Sequence, residues 1–276
     1  MHLLTDRGCR CYPSDYLFSR IRGRIGPSID YIIKSNPEVA RDYIDREYEW
    51  VYSQLNNGLR ERLWSFFLYR ELKRIFQWLR LGDISSRNTE LSLLSEEIKD
   101  MFLNIKDTLS RIERLEGMLS ILSKRFEGIN NAFRIGGLRI FEETLMNSFL
   151  SAITVSTNYP VVKEFFKLII DFRNLISLYK YLRWRIETFP IFLPGGQIRI
   201  RDLKKVFLSG DILLIPKISL EKLGIPIDDL TELEIGLYQG LREILRKWYM
   251  EDPLKPVVII YYLWSIHLEG ISKPAA

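Results

Sequence analysis

Histidine and cysteine are nearly absent: two of each stand among 276 residues. Such scarcity removes most Cys/His metal sites, thiol chemistry and the His-centred acid–base sets of many enzymes. Cys9 and Cys11 with His2 would make three metal ligands, but a single intervening residue is shorter than the usual Cys-x2-Cys spacing, so they read as reduced thiols. His267, on an apolar stretch with no second ligand beside it, reads as a packed side chain. The Gly-x4-Gly-Lys-Ser/Thr phosphate cradle is missing, as are Gly-x-Ser-x-Gly, His-Glu-x2-His and Gly-x-Gly-x2-Gly. The acidic pairs Glu96-Glu97, Glu142-Glu143 and Asp228-Asp229 point about 100° apart on a helix and read as solvated faces. The expectation is a non-catalytic protein with no cofactor and no metal.

Long apolar runs are also missing. The longest, Val257 to Ile266, falls well short of the roughly 20 residues that span a bilayer and reads as a buried helix. Met1 to Arg7 lacks the apolar core of a signal peptide, and no Asn-x-Ser/Thr acceptor occurs. The expected setting is the cytoplasm, with peripheral attachment to a membrane complex open.

What is present is ordinary for a globular protein: 47% hydrophobic and 27% charged residues, with 14 Tyr and 6 Trp. Forty Lys and Arg against 35 Asp and Glu leave a net +5, a mildly basic balance. Such a surface suits an acidic protein partner or anionic lipid headgroups. Arg20, Arg22 and Arg24, and then Lys180, Arg183 and Arg185 interleaved with Tyr179, Tyr181 and Trp184, also suit single-stranded RNA. Acids interleaved along the helices weaken that alternative.

Sparse glycine and proline punctuate helical periodicity. Asn36-Pro37-Glu38 supplies a cap, a proline at the first helical position and an acid in the first turn. The helix it opens would reach Leu81, about 66 Å at 1.5 Å per residue, with a break expected at Asn56-Asn57-Gly58. An apolar stripe at steps of three and four covers residues 93–127 and predicts one long helix. Further helices are predicted near 137–153, 160–188, 201–209, 229–249 and 255–269. Loops fall at Ile135-Gly136-Gly137, Leu193-Pro194-Gly195-Gly196 and Gly224-Ile225-Pro226, and Gln197 to Ile200 is the lone strand candidate. The class is all-α.

The chain echoes itself. Pro160-Val161-Val162 followed by Phe165-Phe166 recurs as Pro256-Val257-Val258 followed by Tyr261-Tyr262. Upstream, Phe66-Phe67 and Glu71-Leu72-Lys73-Arg74-Ile75 match Phe165-Phe166 and Asp171-Phe172-Arg173-Asn174-Leu175. We expect three pseudo-repeated helical units, at 1–85, 86–185 and 186–276, the last truncated.

The stretch Asp171-Phe172-Arg173-Asn174-Leu175, a helical run to Arg183, then Leu193-Pro194-Gly195-Gly196 and a new helix at Arg201-Asp202-Leu203, resembles the family of archaeal-type ATPase C subunits and vacuolar-type ATPase d subunits. There an acid and an Asn three residues on open a helix, an Arg follows, and a Gly-Gly loop precedes the next helix. Asp15-Tyr16-Leu17-Phe18-Ser19-Arg20-Ile21-Arg22 resembles the family's opening Tyr-x3-Arg-x-Arg helix, and Pro256 to Glu269 its closing helix. The sequence departs from the pattern where Gly270-Ile271-Ser272-Lys273-Pro274 replaces the Asn-Leu-Arg continuation, and Arg74 stands where the second repeat has Asn174. The resemblance implies a funnel-like body of three helical units. It implies a coupling subunit of a rotary V-type or A-type ATPase, joining the central stalk to the proteolipid ring for proton or sodium transport, with no nucleotide of its own. The alternative is a helical adaptor or single-stranded RNA-binding protein.

Arg20, Arg22, Asp171, Asn174 and Arg183 are the motif residues, and most are expected to hold the fold. An Asp at the start of a helical turn can accept backbone N–H groups, and an Asn beside it can bridge to a neighbouring helix. Gly195 and Gly196 are expected to supply positive φ in a tight connection rather than ligand contact.

Overall fold

The computed structural model describes residues 3–5, 12–82, 89–157 and 159–271. Cys9, Cys11 and His2 lie outside them. The regular elements among the described residues are all helices; the only strand-like pairing among them is an isolated bridge between Leu4 and Leu94. The helices are α1 (Ser14–Lys34), α2 (Pro37–Gln54), α3 (Asn57–Leu81), α4 (Glu96–Asn104), α5 (Thr108–Ser120), α6 (Ile129–Ser156), α7 (Pro160–Arg183), α8 (Ile200–Ser209), α9 (Leu214–Leu223), α10 (Leu233–Glu251) and α11 (Val257–Ile271). No described helix is long and apolar enough to cross a membrane.

Two compact units result, one from the described residues of Met1–Leu17 and Arg41–Asn158, the other from those of Phe18–Ala40 and Tyr159–Ala276. In the first unit α2 gives way to α3 at the expected break, where the Asn56 side chain accepts the Leu59 N–H at 2.9 Å. The inner face of α3 buries Leu63, Phe66, Phe67, Leu72 and Ile75. Phe67 meets the rings of Tyr48, Tyr52 and Phe66 edge-on, the geometry that aromatic quadrupoles favour.

The stripe over 93–127 is not one helix. Asp107 caps a new start by accepting the Ser110 N–H at 2.7 Å. Arg111, buried in the next turn, donates to the carbonyls of Phe102 and Ile105 at the end of α4. A cation on the last carbonyls terminates one helix as the Asp starts the other. The loop expected at Ile135-Gly136-Gly137 is instead a kink inside α6, with Gly137 at φ +67°.

In the second unit α7 begins with Pro160 at its first turn and buries Phe165, Phe166, Ile169, Phe172 and Leu175. It stops at Arg183, before the expected residue 188, although no glycine marks the end. Arg185 adopts φ +53° and the Ile186 N–H reaches the Tyr181 carbonyl at 2.9 Å, a helix stop of the kind usually left to glycine. Residues 197–199 are a loop rather than a strand. The helix α9 has no counterpart among the expected elements, because Pro216 interrupts its pattern. A proline in the first turn costs no hydrogen bond. α10 packs along α11, whose residues from Val257 to Ile266 are all buried. The Ser28 and Tyr262 hydroxyls share a 2.9 Å hydrogen bond in the same core.

Candidate functional site

Asp171 and Asn174 stand in the middle of α7, not at its start, one turn apart on its buried face. Both turn to the loop that follows the helix. The Asn174 amide closes a ring with the Leu193 backbone, donating to its carbonyl at 2.9 Å and accepting its N–H at 2.8 Å. Asp171 accepts the Gln197 N–H at 2.7 Å and the Ile198 N–H at 3.0 Å, one on each carboxylate oxygen. Two side chains on one helical face thus satisfy four backbone groups of a loop buried at both ends. Asn174 bridges to a loop, where the sequence suggests a neighbouring helix.

The two glycines serve this closure differently. Gly195 takes φ +101°, open to glycine and costly to other residues. Gly196 does not take the expected positive φ and is needed for space instead: a Cβ there would lie 2.7 Å from Asp171 Cγ, closer than real contacts come. Burial raises the Asp171 carboxyl to about 7, while the two backbone N–H groups pull it down. No Lys or Arg among the described residues pairs with it.

The first unit holds a second buried acid that the sequence suggests only as an echo. Glu71, at mid-α3, accepts the Ser92 hydroxyl at 2.8 Å from the segment following that helix. Arg70 Nη1 lies 3.2 Å from its other oxygen and Arg74 3.7 Å from the first. Both arginines also pair with Asp45, and the Arg70 guanidinium sits 3.9 Å over the Tyr48 ring. Burial raises the Tyr48 hydroxyl above its usual range, against the pull of Arg70.

The remaining motif residues are not gathered at this latch. Arg183 is exposed and donates to the Tyr179 hydroxyl at 2.9 Å while lying over that ring. Arg20 and Arg22 are exposed on α1. His267 is half-buried, its ring 5.8 Å from that of Trp264. A groove of about 550 Å³ beside α10 is lined by Asp228, Asp229, Glu232, Arg242, Glu243 and Lys247, a set of mixed sign with acids in the majority. Gly240 lets the preceding loop approach there, since a Cβ would fall 2.9 Å from Ile225 Cγ1.

The chain matches no family model and no curated protein.

Proposed function

We propose that the protein is a non-catalytic coupling subunit of a rotary V-type or A-type ATPase, joining the rotor stalk to the proteolipid ring. The observation that carries the reading is the paired latch. In each unit a long helix presents an adjacent phenylalanine pair and then a fully buried acid that fastens the segment after the helix. The rings of each pair stand at 84° to one another, 5.6 Å apart for Phe66 and Phe67 and 5.2 Å for Phe165 and Phe166. This agreement supports the repeat behind the family resemblance. It also suits force transmission: a close-packed unit whose loops are tied to helix middles deforms little under load.

The chemistry of the latch agrees with a structural task. Asp171 spends both oxygens on backbone donors, and Asn174 spends both amide ends on one residue. Affinity capture of the tagged full chain from gently solubilised membranes of its source tests the proposal. Co-recovery of stalk and proteolipid subunits is expected. Recovery of only soluble proteins or RNA would overturn it in favour of an adaptor.

A further inference from the structure

The second unit carries an exposed face that its own fold does not use. On α8 the buried strip is Leu203 and Val206, while Arg201, Lys204, Lys205 and Leu208 follow one another at helical spacing on the outer side. Phe189 joins them from the preceding loop, its ring 4.8 Å from Phe207 and 5.8 Å from the Lys204 ammonium. Leu208 is 72% exposed and Ile191, two residues beyond Phe189, is 79% exposed. Trp184 at one end of the stretch and Leu213 at the other are exposed as well. Large apolar side chains among lysines and arginines are costly to keep in water without a use.

The stretch of sequence that carries this face is also rich in positive charge. From Arg183 to Lys222 there are eight Lys and Arg against four Asp and Glu, a surplus of four where the whole chain carries five. Two of the four acids are engaged locally: Asp202 lies 3.7 Å from Arg201, and Asp211 accepts the Leu213 N–H at 2.9 Å. Among the described residues neither Lys204 nor Lys205 has an acidic partner.

We propose that this face, Ile191 and Phe189 with the outer side of α8, docks on an anionic lipid bilayer surface. Phe189 would serve either a lipid surface or a nucleobase, and the aliphatic side chains beside it favour lipid. Ile191 and Leu208 have no π-face on which a nucleobase could stack, whereas they enter the boundary between headgroups and acyl chains readily. Lys204 and Lys205 reach past them to lipid phosphates, their stems lying along the apolar surface. The chain lies on the membrane at this face, consistent with described helices too short or too polar to span it. Docking does not depend on the coupling role, because it requires no rotor protein.

Sedimentation of the purified full chain with vesicles tests the assignment, comparing phosphatidylcholine alone with an equimolar phosphatidylcholine–phosphatidylglycerol mixture. The wild type is expected to sediment with the mixed vesicles, not the neutral ones, and to release them as salt rises. Lys204→Gln with Lys205→Gln should weaken binding about 30-fold. Ile191→Ser with Leu208→Ser should weaken it at least about tenfold. All four positions are exposed, so unchanged far-ultraviolet circular dichroism is expected to accompany both losses. Equal binding to neutral vesicles, no binding to either, or variants that bind like the wild type would overturn the proposal. So would single-stranded RNA binding that survives Ile191→Ser/Leu208→Ser while vesicles are ignored.

Discussion

Glu71 in the first unit and Asp171 in the second are both fully buried at the middle of a long helix, and both hold the segment that follows. Their charges are met differently. Glu71 faces two arginines that Asp45 also engages, so its latch is an ion network. Asp171 faces two backbone N–H groups and, among the described residues, no cation, so its latch is a pair of hydrogen bonds in a buried pocket. Burial is expensive for a carboxylate in either place. One unit offsets that cost with opposite charge; the other lets the acid keep a proton near neutrality. Matching geometry therefore does not imply matching electrostatics.

The contrast can be broken from either side. The largest effect is expected for Glu71→Gln, which leaves Arg70 and Arg74 against a neutral amide. A loss of about 3 kcal/mol should appear as a lower urea midpoint at pH 7. Asn174→Ala should cost about 2 kcal/mol, because the Leu193 N–H and carbonyl lose their partners together. Hydrogen exchange in the peptide around Leu193 should rise with it, while exchange in α3 should not. Gly196→Ala should cost about 1–2 kcal/mol by forcing the Asp171 carboxyl away, and Asp171→Gly in that background should relieve the clash without restoring the latch. The smallest loss, about 1 kcal/mol at neutral pH, is expected for Asp171→Asn, whose amide keeps one acceptor for the two N–H donors. A larger loss for Asp171→Asn than for Glu71→Gln would reverse the comparison.

Part of this is legible in the sequence. Asn36-Pro37-Glu38 marks a helix start and Asn56-Asn57-Gly58 a break, and the structure starts helices at Pro37 and Asn57. Asp171, Asn174 and the two glycines stand out as a motif through the family resemblance, which does not disclose that both side chains bind the loop following their own helix. The break at Asp107 is hidden because an apolar stripe runs through it, and only the placement of Arg111 on the carbonyls of α4 reveals it. Gln197 to Ile200 alternate like a strand, yet the N–H groups of Gln197 and Ile198 go to Asp171 rather than to a neighbouring strand, a choice made by tertiary structure. Arg185 ends α7 in a conformation that nothing in its side chain announces. The pairing of Glu71 with arginines, and the isolation of Asp171, depend on residues far apart in sequence and lie beyond periodicity.

The pH dependence of stability in the wild type and in Asp171→Asn tests the difference between the latches most directly. The unfolded chain ionises this carboxyl near 3.8 and the folded chain near 7, so the folded state holds an extra proton across that window. Its stabilising contribution is full below 3.8, falls as pH rises towards about 7, and stays lost above. Thermal unfolding from pH 4 to pH 8 should therefore show a wild-type decline with rising pH that Asp171→Asn lacks, the gap between the two curves narrowing to about 1 kcal/mol at the alkaline end. Parallel curves across the range would contradict the account, and would place Asp171 as an ordinary ionised carboxylate held by its two backbone donors.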